Sequence, residues 1–153
     1  LDVFGSIMFL IAGFGWGKPV YTNPRNYSGN PRTGIAIVAA AGPISNLFLA
    51  YISSIIYRIG FTDSGILNYF LYLFIELNIL LMLFNLLPIA PLDGYQITIG
   101  LLPYKTAAII NRYQGQGPMI LILLIAAGSI FNFNFLGLIL GPPYQLIMSL
   151  LLN

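Results

Sequence analysis

Residues 35–57 read IAIVAAAGPISNLFLAYISSIIY and contain no charged side chain over 23 positions. Residues 66–88 form a second run of 23 positions, ILNYFLYLFIELNILLMLFNLLP, in which Glu76 is the only charge. As a helix each run would extend about 30 Å or slightly more, the thickness of the hydrocarbon core of a bilayer. The two runs therefore predict two transmembrane helices.

The composition indicates the same environment. The chain has 153 residues, of which 58% are apolar and 7% charged, and it contains neither Cys nor His. A water-soluble domain carries about 25% charged residues. A net charge of +2 is too small for a surface that binds nucleic acid. Without His or Cys, this chain alone has no imidazole or thiolate chemistry.

The remaining runs are shorter or interrupted. Residues 118–131 predict one spanning or partly spanning helix, and residues 135–152 predict a helical segment broken at Gly141-Pro142-Pro143, because adjacent prolines remove backbone donors. Residues 3–17 are too short to span as a helix and lack the features of a signal peptide. We therefore expect an all-α multipass membrane protein with three to four transmembrane or re-entrant helices, forming a single membrane-embedded domain over residues 1–153.

Two further expectations concern the polar intervals. Val20, Tyr21 and Thr22 have strand propensity, which predicts a small interfacial β element near residues 16–23, with a polar connector as the alternative. The cations lie mainly in the interval before the first spanning helix and in the interval after the second. By the positive-inside rule, loops 18–34 and 95–117 are predicted to be cytoplasmic.

The most unusual stretch follows the second spanning run, where Asn85, Pro88, Pro91, Asp93 and Gly94 fall within ten positions. The prolines interrupt helical hydrogen bonding, and unwound backbone at membrane depth needs cover from protein or a wet cavity. A carboxylate there needs a cation, a hydrogen-bond network or water. The alternative is that Asp93 caps the next helix and that Gly94 is a turn residue.

Other polar residues interrupt the apolar runs. Asn78 and Asn85 lie two helical turns apart and are candidates for interhelical hydrogen bonds. Residues 41–46, Ala-Gly-Pro-Ile-Ser-Asn, are typical of close helix packing with a kink. Glu76 has no evident cation in its own run, so it could be protonated, hydrogen-bonded to a neighbour or part of a proton path.

Taken in order, four motifs resemble the site-2 protease family of intramembrane zinc metalloproteases, peptidase family M50. They are Gly15-Trp16-Gly17-Lys18-Pro19-Val20, Asn23-Pro24-Arg25-Asn26, Ala41-Gly42-Pro43-Ile44-Ser45-Asn46, and the stretch from Asn85 to Gly94. The resemblance covers about residues 1–102. It implies regulated cleavage of transmembrane protein substrates, with Asp93 as a Zn²⁺ ligand and Asn85 as a substrate-binding residue. It also implies a bacterial or archaeal cell membrane.

The sequence departs from the family at its most specific motif. The family's zinc has two further ligands from a His-Glu-x-x-His helix, whose Glu is the general base, and this chain has no His. Truncation is the simplest explanation, with a pseudoprotease as the alternative. We expect this chain alone to be inactive and to bind no zinc, with no catalytic residue of its own.

Two other classes of function remain open on the sequence. A transporter or channel subunit would use Glu76, Asn78, Asn85 and Asp93 to line an ion or proton path. A lipid-embedded assembly scaffold would use the small residues around Gly42 as a packing surface. The oligomeric state is not indicated by the sequence.

Overall fold

A computed structural model describes residues 30–60, 64–130 and 134–153 of the chain, without the side chains of residues 129 and 130. The described helices are α1 (Pro31–Arg58), α2 (Gly65–Asn85), α3 (Asp93–Leu101), α4 (Tyr104–Asn111), α5 (Gly117–Ile130) and α6 (Phe135–Leu152), with a short 3₁₀ turn at Gln114–Gln116. These ranges contain no strand. The predicted β element near residues 16–23 and the apolar run 3–17 lie outside the described residues.

Three of the described helices, α1, α2 and α6, are long and apolar enough to cross a membrane. Their large apolar side chains remain exposed in the isolated chain, among them Ile37 at 66%, Ile66 at 73% and Leu150 at 69%. Exposed apolar surface on this scale is the surface that lipid covers. The described chain is thus an all-α multipass membrane protein, as the sequence predicts.

The two long runs form helices whose limits follow from local chemistry. Pro31 lies in the first turn of α1, and the side chain of Asn30 caps that turn by accepting a hydrogen bond from the Arg32 backbone N–H at 3.0 Å. Helix α2 ends at Asn85, three residues before the predicted limit at Pro88. The residue preceding a proline disfavours helical backbone, which explains the earlier end.

The structure corrects the prediction for the last apolar segment. Helix α6 is continuous over 18 residues and contains Pro142 and Pro143 in its interior. Each proline removes one backbone donor, but a hydrocarbon environment offers the other peptide groups no partner outside the helix. The flanking residues therefore remain helical. Helix α5 has 14 residues, which confirms a helix near residues 118–131; that it spans or partly spans the membrane stays a prediction.

The core lies where α1, α2 and α6 meet. Its buried members are Ala50, Ile75, Ile79, Met82, Leu83 and Met148. Ala50, Ile75 and Ile79 have no exposed surface. The small side chain of Ala50 lets α1 approach the larger residues of α2 closely.

Two side-chain contacts fix the direction of α6. At its carboxyl end, Arg58 of α1 donates a hydrogen bond to the backbone oxygen of Asn153 at 3.0 Å. Near its middle, Tyr144 donates to Glu76 of α2 at 2.9 Å. Helix α6 therefore runs parallel to α1 and antiparallel to α2, and it begins at the end of the bundle where α1 begins.

Candidate functional site

The segment between α2 and α3 is a compact irregular turn. Within it, the backbone N–H of Ile89 donates to the oxygen of Leu87 at 2.8 Å, and the N–H of Leu92 donates to the oxygen of Ile89 at 2.9 Å. The Ala90–Pro91 peptide bond is cis. The prediction that the proline-containing stretch interrupts the helix is confirmed by the end of α2 at Asn85 and the start of α3 at Asp93.

Gly94 lies directly against the backbone of this turn. A Cβ atom built on Gly94 would lie 2.2 Å from the carbonyl oxygen of Leu86 and 2.5 Å from that of Leu87. Gly94 is buried and is the second residue of α3, so it is not the turn residue of the capping alternative. Glycine is required here by close backbone approach. This contact folds the start of α3 back onto the end of α2.

Asp93 packs against α1 at Gly42. A Cβ atom on Gly42 would lie only 2.8 Å from Oδ2 of the Asp93 carboxylate. The carboxylate is half-buried, and burial raises the pKa of Asp93 above its ordinary value. The structure thus brings together two of the motifs that the sequence analysis singled out, the small residues of α1 and the acid of α3. The Gly42 surface is occupied by the chain's own Asp93.

Helix α3 continues along α1 in the antiparallel direction. At its far end, a Cβ atom on Gly100 would lie 2.3 Å from Cβ of Ala36 and 2.9 Å from the oxygen of Arg32. Backbone proximity at Gly100 and side-chain proximity at Asp93 hold α3 against α1 at both ends. The position of the Asp93 carboxylate is therefore set by helix packing.

Asn85 is the last residue of α2 and is half-buried. Its side chain forms no hydrogen bond with the described part of the chain. Asn85 immediately precedes Leu86, and Asp93 immediately precedes Gly94. Since Leu86 and Gly94 are in direct contact, Asn85 and Asp93 both lie beside that contact. The structure thus places Asn85 and Asp93 at the same turn.

The other polar residues of α2 are used within the bundle. Asn78 is buried and donates to the backbone oxygen of Phe74 at 2.8 Å. This bond lies within one helix, so the described residues do not show the interhelical hydrogen bond predicted for Asn78. Glu76 instead makes the interhelical bond, accepting from Tyr144 of α6. Of the roles considered for Glu76, hydrogen bonding to a neighbour is the one observed.

A cavity of about 490 Å³ adjoins the irregular turn. Its lining residues are Ala90, Pro91, Asn111, Gln114, Gly115 and Pro118. The sequence analysis did not single out Asn111, whose Oδ1 accepts a hydrogen bond from the buried hydroxyl of Tyr95 at 2.8 Å. The sequence feature that could have identified Asn111 is a polar amide at the end of the short helix α4.

The described residues alone do not form a zinc site. Within residues 30–60, 64–130 and 134–153, no three side chains of the metal-binding types His, Cys, Asp and Glu come together. Asp93 is the one acid at the turn, and zinc in proteins takes three or four protein ligands. Asp93 can supply at most one ligand to a zinc ion.

Fold and site together define a multipass membrane protein with a half-buried carboxylate at a helix break. Among curated proteins, the chain is similar to the Bacillus subtilis (strain 168) protein named "Putative zinc metalloprotease YwhC", with 39% identity over 133 residues. The alignment covers 81% of this chain and 60% of that relative, so the chain spans less than two thirds of the relative's length. No family model matches the chain, and no solved structure matches it.

Proposed function

We propose that this chain is part of an intramembrane zinc metalloprotease of the site-2 protease family that cleaves transmembrane protein substrates. The observation that carries the proposal is the Asp93 carboxylate, half-buried against Gly42 at the break between α2 and α3. The similarity to a protein named as a zinc metalloprotease favours a protease over a transporter.

Two residues of this chain have roles in the proposed site. Asp93 would contribute one metal ligand, because a carboxylate that packing holds in place needs a cation at membrane depth. Asn85 would bind substrate, because its amide has both a donor and an acceptor to offer a peptide backbone. Since the sequence has no His, the imidazole ligands and the general base would come from polypeptide outside these 153 residues. The chain alone would then be inactive.

The test is the substitution Asp93→Ala in the protein expressed with its complete coding region. We expect loss of bound zinc, measured by plasma mass spectrometry of the purified protein, and loss of cleavage of a transmembrane reporter. Membrane insertion should be unchanged, because α1, α2 and α6 are unaltered. A variant that retains wild-type zinc content and turnover would exclude Asp93 from the metal site.

Glu76→Gln is the matched control, since Glu76 is the other acid of the described residues and bonds to Tyr144. The protease proposal predicts full zinc content for Glu76→Gln. A transporter that uses an acidic path would instead lose ion flux in both variants and keep that flux in the presence of a chelator. Chelator-resistant flux without proteolysis would contradict the proposal.

Asn85→Ala tests the substrate role separately. We expect zinc content to remain at the wild-type level while kcat/KM for the reporter falls by about tenfold or more, since one lost hydrogen bond to a reacting peptide costs about that factor. Unchanged cleavage kinetics would remove Asn85 from the substrate site.

A further inference from the structure

A second recess lies at the end of the bundle where α1 begins and α3 ends. It has a volume of about 210 Å³ and is lined by Arg32, Ile99, Tyr104, Ala107, Ala108 and Asn111. We call this recess the Arg32 groove. It is formed by α1, α3 and α4 and shares Asn111 with the cavity beside the irregular turn, whereas Asp93 lies at the other end of α3.

The guanidinium group of Arg32 is held in place in this groove. Its Nη2 donates to the backbone oxygens of Ile99 and Leu102, the latter at 2.8 Å. Its Cζ lies 5.8 Å from the centroid of the Tyr104 ring. These contacts use Nη2 and the face of the guanidinium. Nε and Nη1 form no hydrogen bond with the described residues. Within the described part of the chain, Nε and Nη1 of Arg32 therefore remain to donate to a ligand.

Asn111, the last residue of α4, adds a neutral donor to the wall of the groove. Its Oδ1 is already occupied by the Tyr95 hydroxyl, which leaves the amide nitrogen to donate. Lys105 and Arg112 flank the same wall in sequence. Of the two described acids, Glu76 lies within α2 and Asp93 lies at the far end of α3. Among the described residues, the charged side chain that lines the groove is therefore a cation.

The groove also borders an exposed apolar surface. Tyr104, which lines the groove, is 75% exposed, and Leu101, the last residue of α3, is 77% exposed. An anionic head with an attached hydrocarbon chain would satisfy both surfaces at once. Positive-inside charge places this end of the bundle at the cytoplasmic leaflet, which carries the anionic lipids.

We propose that the Arg32 groove binds a phosphate group, carried either by an anionic phospholipid or by a free phosphate compound. A planar guanidinium, with Nε and Nη1 not bonded to the described residues, matches the geometry of phosphate oxygens. The Asn111 amide would bind a further oxygen, and the Tyr104 ring would limit the depth to which the ligand enters. The proposal is independent of the protease function.

The experiment has two arms, both with the purified full chain. In the first arm, native mass spectrometry counts the phosphatidylglycerol and phosphatidylcholine molecules that the chain retains from nanodiscs with equal amounts of both lipids. In the second arm, phosphorus NMR measures binding of inorganic phosphate to the chain in nanodiscs of phosphatidylcholine alone. Selective phosphatidylglycerol retention identifies the lipid as the source, and inorganic phosphate binding identifies a free compound.

Two variants test the site in each arm. Arg32→Gln removes the cation and Ala108→Leu fills the groove without altering the Arg32 hydrogen bonds, and each should lower phosphate or phosphatidylglycerol binding about fivefold. Ala108→Leu keeps the test decisive if Arg32→Gln fails to fold. Arg32→Lys should recover only part of the binding, because Lys lacks the planar fork.

Matched controls keep the wild-type value. Arg58→Gln removes the arginine at the opposite end of α1, and Thr106→Leu enlarges an exposed residue of α4 that does not line the groove. If Arg32→Gln and Ala108→Leu bind both probes as these two controls do, the proposal is wrong.

Discussion

Gly94 is the residue whose identity the packing constrains most directly. Replacing it with Ala would place a Cβ within 2.2 Å of the Leu86 carbonyl oxygen, and backbone atoms cannot move aside as the end of a flexible side chain can. We expect Gly94→Ala to lower the free energy of unfolding by about 1–3 kcal/mol or more, measured by reversible unfolding in mixed micelles.

Gly115→Ala is the matched control for this prediction. A Cβ on Gly115 meets no atom within 4 Å, so its substitution should leave the free energy of unfolding almost unchanged. Equal effects of the two substitutions would show that the end of α2 does not approach Gly94 as described.

Asp93 predicts a dependence of stability on pH in the metal-free chain. Burial raises the pKa of Asp93 above its ordinary value of 3.8, so folding favours the protonated carboxyl. The associated stability is present below pH 3.8 and is lost as pH rises through the raised pKa. Asp93→Asn has no charge to bury. We therefore expect Asp93→Asn to be more stable than the wild type at neutral pH in the presence of chelator.

The same comparison at acid pH provides the control. Below the ordinary pKa both side chains are neutral, so the difference between the unfolding midpoints of Asp93→Asn and wild type should shrink. An Asp93→Asn variant that is less stable than wild type at neutral pH would indicate that the ionised carboxylate has a stabilising partner.

At the residue scale, the sequence predicted the important positions more successfully than it predicted their structural roles. Asp93 was recognised because an acid beside a proline break is costly in lipid. Gly94 was interpreted as a turn residue in one alternative, whereas its role depends on the carbonyls of Leu86 and Leu87. For Arg32 the sequence predicts only a position in the cytoplasmic loop 18–34. Such contacts depend on how the turn after α2 folds back, which local pattern does not specify.

At the scale of helices, the bond between Glu76 and Tyr144 joins α2 to α6. Tyr144→Phe and Glu76→Gln each weaken this bond, and the double variant tests whether they act through one another. We expect a coupling energy of about 0.5–1.5 kcal/mol, the range for hydrogen bonds between membrane helices, from a double-mutant cycle on the free energy of unfolding.

Tyr51→Phe controls for loss of a tyrosine hydroxyl as such. Tyr51 lies on α1 with 52% of its surface exposed, and it should show no coupling to Glu76→Gln. A coupling energy near zero for the Tyr144 pair would mean that the contact does not help to hold α6 in place.

The helices themselves were largely predictable because length and hydropathy determine spanning segments. The exception is α6, where Pro142 and Pro143 suggested an interruption. Rules for proline derive mainly from water-soluble helices, in which the freed backbone groups can bond to water. In a hydrocarbon environment that competition is absent, so the helix continues past both prolines.

At the scale of the whole molecule, the contacts of α6 determine which ends lie together. The Tyr104 ring contacts Arg32, so the neighbouring Lys105 belongs to the end where α1 begins, and Ile59 belongs to the end where Arg58 meets Asn153. Arg112 lies in the same predicted cytoplasmic loop, 95–117, as Lys105. The sequence has no Cys, so each single-cysteine variant carries one thiol. We expect Lys105→Cys and Arg112→Cys to react with a membrane-impermeant reagent from the same side of oriented vesicles.

Ile59→Cys, at a position with 67% of its surface exposed, should react only from the other side. The positive-inside rule predicts that the Lys105 side is cytoplasmic. Labelling of Ile59→Cys and Lys105→Cys from one common side would contradict the described arrangement of α1.

Helix α3 has nine residues, and each of its ends meets a different part of α1. One inserted residue in a helix turns everything beyond it by about 100° and moves it by about 1.5 Å. If Gly100 keeps its contact with Ala36, a single alanine inserted near Ile97 would therefore turn the Asp93 carboxylate away from Gly42. The length of this short helix therefore fixes the direction in which the Asp93 side chain points. Even a one-residue insertion or deletion here should be far more harmful than one in an exposed connector.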